Sequence, residues 1–313
     1  MDAATRALLT GSLRQALRAG DPRAVDAALA EVGWAEALQE EGPAAVALLF
    51  TEQGAANAAS GALDDVLTAA TGRPGGAFVL PGYGLSAPPA ETTAGGRLRA
   101  RGLGTSRLAH ADTAVVVTGA AAHWVSTKDL RVTPVTGVDP ELRLVTVEAD
   151  GLEPSESVPV DWPALRAAGQ LAVAYELVAA SRAMLELACD HARSRVQFGR
   201  PIASFQAVRH RLADSLLAIE TAAAAVSVAA ERDAADPLLA GMAKAVAGRG
   251  ARTAARHCQQ VLAGIGFTAE HAFHRHLRRI LTLDGLLGTA RGLTRELGTE
   301  LIRTRRVPPA PPL

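Results

Sequence analysis

Apolar positions recur with a helical period along residues 1–71. Leu8, Leu9, Leu13 and Leu17 make one stripe, which Gly20-Asp21-Pro22 ends. Asp21 and Pro22 suit the cap and first turn of a second helix through Leu29. After a short connection at Glu31–Trp34, residues 43–70 read as one or two alanine-rich helices, with Ala47, Phe50, Gly54 and Asn57 along one face. Between 72 and 160 the pattern changes: turn signals such as Gly72-Arg73-Pro74-Gly75-Gly76 separate short β-type runs. The runs are Ala77–Leu80, Arg97–Gly102, Thr113–Thr118, His123–Ser126, Val132–Val135 and Leu142–Glu148. From 161 to 305 the helical period returns. Leu171, Tyr175, Val178, Leu185 and Cys189 form one stripe, and Val208, Leu212, Leu216, Ile219 and Val226 another. A third helix runs from about Pro237 to Leu262, and two more flank Asp284-Gly285. The pattern predicts an α+β, mostly α chain. It has an N-terminal helical domain (1–71), a small middle β domain (72–160), a C-terminal helical bundle (161–305) and a Pro-rich tail (306–313).

Composition narrows the function classes. The chain has 313 residues, 49% hydrophobic, with Lys+Arg 32 balancing Asp+Glu 32. Zero formal charge gives no electrostatic case for nucleic acid or an anionic membrane. Cys189 and Cys258 lie in helical segments, which argues against a disulfide framework. Met1–Gly20 lacks the basic start and apolar core of a signal peptide, and no apolar run reads as long enough to span a bilayer. A soluble, cytoplasmic protein is the expectation.

Between the first two long helical segments lies Arg195-Val196-Gln197-Phe198-Gly199-Arg200-Pro201-Ile202-Ala203-Ser204-Phe205-Gln206. Gly199 suits the end of one helix, Pro201 the start of the next, and Ser204 a cap. A guanidinium at such a corner can grip a phosphate bidentately, and an aromatic can lie against a planar ring. The local pattern reads more simply as a helix turn with an arginine salt bridge and a buried phenylalanine. Yet Arg-x-x-Phe-Gly-x-x-Ile-x-x-Phe-Gln, followed by His210 and Ala213-Asp214, resembles the signature of the acyl-CoA dehydrogenase family. Gln260-Val261-Leu262-Ala263-Gly264-Ile265-Gly266-Phe267 is similar to that family's Gln-x-x-Gly-Gly-x-Gly-Phe loop, with Ala263 in place of the first glycine. The resemblance implies an acyl-CoA dehydrogenase-like fold whose C-terminal part is a four-helix bundle. It implies that Arg195, Gln197, Phe198, Phe205, Gln206, Gln260 and Gly264 contact the adenine and pyrophosphate half of FAD held by a neighbouring subunit.

In that family a glutamate removes an α-proton from the acyl-CoA while hydride passes to the flavin. Electrons then go to an electron-transferring flavoprotein. Two positions host this glutamate in different branches. One, about twenty residues past the Gly-Phe of the second motif, falls on Leu287-Gly288-Thr289; the other, roughly seven helical turns before Arg195, falls on Gly169, followed by Gln170. Neither is a base. Asp284 and Glu176 are candidate substitutes; the alternatives are a helix-ending aspartate and a solvated or ion-paired glutamate. The β-domain stretch Phe78–Ser86 lacks the acidic and hydroxyl residues that family members aim at their own flavin ring, and Trp124 is either a relic of a second ring-facing segment or a core residue. His271, His274 and His276 have spacings that could hold a metal, but a basic helix face is the expectation and no metal site is assigned.

The combination resembles the short, base-less β subunits of heteromeric (α2β2) bacterial acyl-CoA dehydrogenases, many of which act on CoA thioesters of steroid fragments. The resemblance implies a catalytic α subunit as partner, FAD shared between the two, and an acyl-CoA substrate in the complex. A self-sufficient homotetramer with a relocated base, and a scaffold that binds no flavin, are the alternatives.

Overall fold

The computed structural model describes residues 2–232 and 236–305; the proline-rich tail lies outside them. Five helices open the chain: α1 (Ala3–Ala16), α2 (Pro22–Glu31), α3 (Trp34–Glu41), α4 (Pro43–Ala56) and α5 (Ala62–Ala69). Asp21 accepts the amides of Arg23 and Ala24, with Pro22 in the first turn of α2. In α1 the apolar stripe is narrower than the sequence predicts. Leu13 and Leu17 are buried, whereas Leu8 is 74% exposed, because α1 meets its neighbours along one edge only.

The middle of the chain carries β1 (Ala77–Phe78), β2 (Ala90–Thr92), β3 (Leu98–Gly104), β4 (Thr113–Val117), β5 (Ala121–Ser126), β6 (Arg131–Pro134), β7 (Val145–Leu152) and β8 (Glu156–Pro159). They form two four-stranded sheets in the orders β1-β4-β5-β8 and β2-β3-β7-β6, linked by a bridge between Leu80 and Leu103. Strand β4 is buried on both faces. Ala114 and Val116 join the small core between the sheets, and Val115 and Val117 join the large core shared with the helices. Strands β2 and β8 are too short and polar to signal themselves in the sequence. Asp64 of α5 ties the two regions by accepting the Phe78 amide (2.6 Å) and the Thr105 hydroxyl (2.7 Å), and burial lifts its carboxyl to about 6.

Three long helices follow: α6 (Trp162–Ser194), α7 (Gln206–Arg232) and α8 (Pro237–Leu262). A two-stranded hairpin, β9 (Val196–Gln197) and β10 (Arg200–Pro201), joins the first two. Helices α9 (Phe273–Gly285) and α10 (Ala290–Thr304) pack on α6 and α8. Arg182 of α6 pairs with Glu220 of α7, and Gly250 of α8 lies against Ala218 and Ala222 of α7, so the three run alternately up and down. Contrary to the sequence expectation, α7 has an 18-residue window of mean hydropathy 1.5, long and apolar enough by composition to cross a membrane. Ile219, Ala222, Val226 and Ala229 bury one edge of it in the bundle core, while Leu216 and Leu217 face outward.

The three regions meet at one buried guanidinium. Arg279 of α9 is 0% exposed. It donates to Asp139 (2.6 Å) from the β domain, to Glu176 (3.1 Å) from α6, and to the carbonyls of Asn57 (3.3 Å) and Ala58 after α4. Gln53 of α4 donates to the other Glu176 oxygen at 2.9 Å. Removing the cation leaves two buried carboxylates uncompensated. We therefore expect Arg279→Met to cost roughly 3–5 kcal/mol of stability, measured by thermal unfolding beside wild type. A loss under about 1 kcal/mol would show that the buried group is dispensable.

Candidate functional site

The lead motif folds differently from a simple helix–glycine–proline–helix corner. Helix α6 ends at Ser194, and Phe198 and Gly199 form the two-residue tip of the β9–β10 hairpin. Their φ values of 53° and 78° are the positive pair that a type I′ turn demands. Gly199 therefore serves a hairpin rather than a helix end. Ser204 caps nothing: its hydroxyl is buried without a partner, and α7 begins at Gln206. The turn lifts Phe198 to 92% exposure, with its ring centroid 6.0 Å from that of Phe205 in an edge-to-face contact. Phe205 is held from its other side by the Arg200 guanidinium at 4.4 Å. Gln197 donates to the adjacent Val196 carbonyl. Arg195 and Gln206 are exposed, and no side-chain hydrogen bond or ion pair engages them among the described residues. The buried phenylalanine and arginine salt bridge of the simpler reading are not what the fold makes.

The second motif lies at the same end of the bundle. Helix α8 runs antiparallel to α7, so its C-terminus returns beside the hairpin; His191 of α6 and His271, just past the motif, are 6.3 Å apart in a T-shaped contact. Gln260 is exposed without a side-chain partner among the described residues, and a Cβ on Gly264 would meet open space. Phe267 is 76% exposed. Ala263 sits at φ 52°, ψ −133°, a region that suits glycine and strains an L-residue. The loop thus keeps the geometry of a glycine while carrying a methyl group.

The two positions aligned with a family base meet each other in the core. A Cβ on Gly169 would lie 2.6 Å from Leu287 Cδ1 and 2.9 Å from Leu67 Cδ2, so the leucines fill the space that glycine leaves. Leu287 is fully buried at φ 57°. Its carbonyl accepts from the buried Gln170 amide at 2.9 Å. Lys244, also fully buried, donates to the carbonyls of Asp284 (3.0 Å) and Gly288 (2.7 Å), and burial pushes its amine down to about 8. Asp284 is saturated: one oxygen accepts the Ala290 amide (3.0 Å) and the other both Nε and an Nη of Arg252 (2.9 and 2.7 Å). Glu176 belongs to the Arg279 knot, and burial raises its pKa. Neither carboxylate is a free base beside an open acyl pocket.

The loop aligned with flavin-ring contacts is packed down as well. Tyr83 donates to the Leu281 carbonyl (2.7 Å), its ring lies over Gly285 where any Cβ would clash, and the Gly84 amide donates to the Gly285 carbonyl (2.8 Å). The Ser86 carbonyl accepts from Trp162 and Arg166, both at 3.0 Å. These residues do not fit a flavin ring held by this chain's own loop. Trp124 is 3% exposed, with Arg73 stacked on it at 4.7 Å, which makes it a core residue. His276 and Arg279 point inward rather than lining a basic outer face; burial and two neighbouring arginines push His276 down to about 4. No cluster of three metal-ligating side chains occurs among the described residues.

Comparison with known proteins agrees with this geometry. Residues 167–300 match the family model described as acyl-CoA dehydrogenase, C-terminal domain. Residues 167–300 are an acyl-CoA dehydrogenase C-terminal domain. Acyl-CoA dehydrogenase IpdE2 of Mycobacterium tuberculosis is 35% identical over 168 residues, covering 54% of this chain and 51% of the relative. Acyl-CoA dehydrogenase FadE34 of the same organism is 38% identical over 147 residues, covering 41% and 20%. The chain thus spans about half, or less, of these relatives. Among solved structures, the ChsE4–ChsE5 complex from M. tuberculosis superposes with a TM-score of 0.83 at 22% identity, covering 99% of both chains. The Tcur3481–Tcur3483 steroid ACAD does so with 0.83 at 21%, covering 96% of this chain and 99% of that one. At those identities the likeness shows the acyl-CoA dehydrogenase fold.

The strained alanine gives a direct test. Ala263→Gly should stabilise the chain by about 1–2 kcal/mol, read as a raised melting temperature. A neutral or destabilising result would mean that the methyl group is accommodated without strain.

Proposed function

We propose that this chain is a subunit of a heteromeric, FAD-dependent acyl-CoA dehydrogenase and completes the FAD site of a catalytic partner subunit. One contrast carries the reading. Arg195, Gln206, Gln260 and Gly264 stand exposed and unengaged at one end of the bundle, with Phe198 exposed beside them on the edge of Phe205, while Gly169 and Leu287 close against each other where a base would act. Groups presented outward with no partner in their own chain suit a ligand held by another chain. The Arg195 guanidinium would take the pyrophosphate, Phe198 would lie against the adenine, Gln206 and Gln260 would hydrogen-bond the nucleotide, and Gly264 would let it approach the backbone. Phe205 positions Phe198 by edge contact, and Gln197 shapes the hairpin. The bound FAD supplies hydride acceptance for α,β-desaturation of the acyl-CoA. The partner supplies the glutamate, since a positioned base contributes about 10²–10⁴-fold and the two aligned positions here are Gly169 and Leu287.

The shared fold with chains of the ChsE4–ChsE5 and Tcur3481–Tcur3483 complexes supports a hetero-oligomer, here proposed as α2β2. The steroid ACAD among those neighbours supports a steroid-derived acyl group. We place the complex in the cytoplasm, with an electron-transferring flavoprotein as acceptor.

The test is Arg195→Ala in the complex purified with a full-length family member that carries the glutamate. Losing a charge-assisted contact should weaken FAD retention by roughly 10-fold or more while the two chains stay associated. Full flavin content in an intact variant complex would contradict the reading and favour a scaffold without a flavin role.

A further inference from the structure

A second group of polar side chains meets on the β domain, away from the helical motifs. Strand β8 ends its sheet in the order β1-β4-β5-β8. It pairs with β5 so that Ser157 stands directly opposite His123. The Val160 amide donates inward to the Ala120 carbonyl (3.0 Å). By antiparallel alternation the Val158 amide also faces β5, and the backbone polar groups of Ser157 turn to the outer edge. Pro159, the next outward position, needs no N–H there. Ser157 and His123 therefore form a non-hydrogen-bonded cross-strand pair, the kind in which side chains stand closest. The Ser157 hydroxyl lies 2.8 Å from His123 Nδ1.

The other ring nitrogen assigns the tautomer. His123 Nε2 lies 3.2 Å from Thr118 Oγ1, and the Thr118 hydroxyl donates to the Ala121 carbonyl at 3.3 Å. Thr118 therefore accepts from Nε2–H, and Nδ1 keeps its lone pair for the serine proton. Burial pushes the imidazole below its ordinary value, so the ring is neutral at pH 7. Its cross-strand neighbours, Val116 of β4 and Ser157 of β8, carry no charge. Ser157 is exposed and His123 half-buried. A hydroxyl with its proton on a neutral imidazole is the arrangement that activates a serine. The serine's own amide, turned outward, is a donor of the kind that stabilises an oxyanion.

We propose that Ser157, with His123 as its base, is a nucleophile that accepts an acyl group from thioesters and other activated esters. The Ser157 oxygen attacks the carbonyl carbon, and its proton passes to His123 Nδ1. The new O–C bond replaces the C–S bond of a thioester, or the C–O bond of an aryl ester. The thiolate or phenolate leaves and takes the proton from Nδ1. Nothing is oxidised or reduced. The Ser157 amide donates to the carbonyl oxygen as that oxygen gains charge. The inference does not depend on the flavin reading, since neither residue belongs to the hairpin or to the loop after α8.

The experiment is incubation of the full chain with p-nitrophenyl acetate and with acetyl-CoA. It is read as released nitrophenolate or thiol and as the acetylated peptide in a mass spectrum. One acetyl group should appear per chain, on the peptide that carries Ser157. Ser157→Ala should remove it and leave the melting temperature at the wild-type value, because the side chain is exposed. His123→Gln should slow acetylation by about 10²-fold or more. Ser126→Ala, on the same strand as His123 but bonded to the Lys128 amide, should leave the rate unchanged. Site selectivity in the wild-type chain tests the proposal without any variant. Absence of an acetyl group on Ser157, an equal rate in His123→Gln, or acetyl groups spread over other exposed serines at the Ser157 rate would overturn it.

Discussion

A buried cation between two buried carboxylates determines how the parts of this molecule meet. Arg279 reaches the β domain through Asp139, the bundle through Glu176, and the end of α4 through two backbone carbonyls. Such a group is costly to desolvate, and a well-packed apolar set would hold the regions together as strongly. What the charges add is direction: only one placement of α9 satisfies all the acceptors. With α9 fixed, the turn at 285–289 has to enter the core between α6 and α8.

That turn determines which chemistry the chain can and cannot supply. Gln170, Lys244 and Asp284 hold it by hydrogen bonds to its backbone, and Leu287 enters beside a glycine that offers no resistance. A leucine at positive φ costs of the order of 1–3 kcal/mol, which burial of its side chain, about 1.5–3 kcal/mol, offsets. The place aligned with a catalytic carboxylate has become a packing joint. At the opposite extreme, Arg195 and Gln206 beside the hairpin and Gln260 at the α8 terminus stay exposed and unpaired among the described residues, with Phe198 and Phe267 exposed beside them. The Gly-type conformation of Ala263 persists there without the glycine, as expected where a loop must approach something outside the chain.

Much of this was legible in the sequence. Helical and strand periods located most elements, and Gly-Asp-Pro predicted the start of α2. Matching the motifs residue by residue identified Leu287 and Gly169 as non-bases. Other features were not readable, for physical reasons. Phe198-Gly199 reads equally as a helix end or a type I′ turn until the pairing of Gln197 with Arg200 is known. Arg279 and Lys244 are charged residues in amphipathic helices, where exposure is the usual outcome; only tertiary partners far away in sequence reverse it. The hydropathy of α7 comes largely from alanines, which are apolar yet too small to read as a membrane-spanning run.

A subunit proposed to complete a partner's FAD site should not hold a flavin by itself. The direct measurement is the ratio of bound FAD to protein for the chain purified alone and for the complex with a glutamate-bearing, full-length partner. The expected result is no stoichiometric flavin on the isolated chain and one FAD per pair of unlike chains. A stoichiometric flavin on the chain alone, or two per pair, would contradict it.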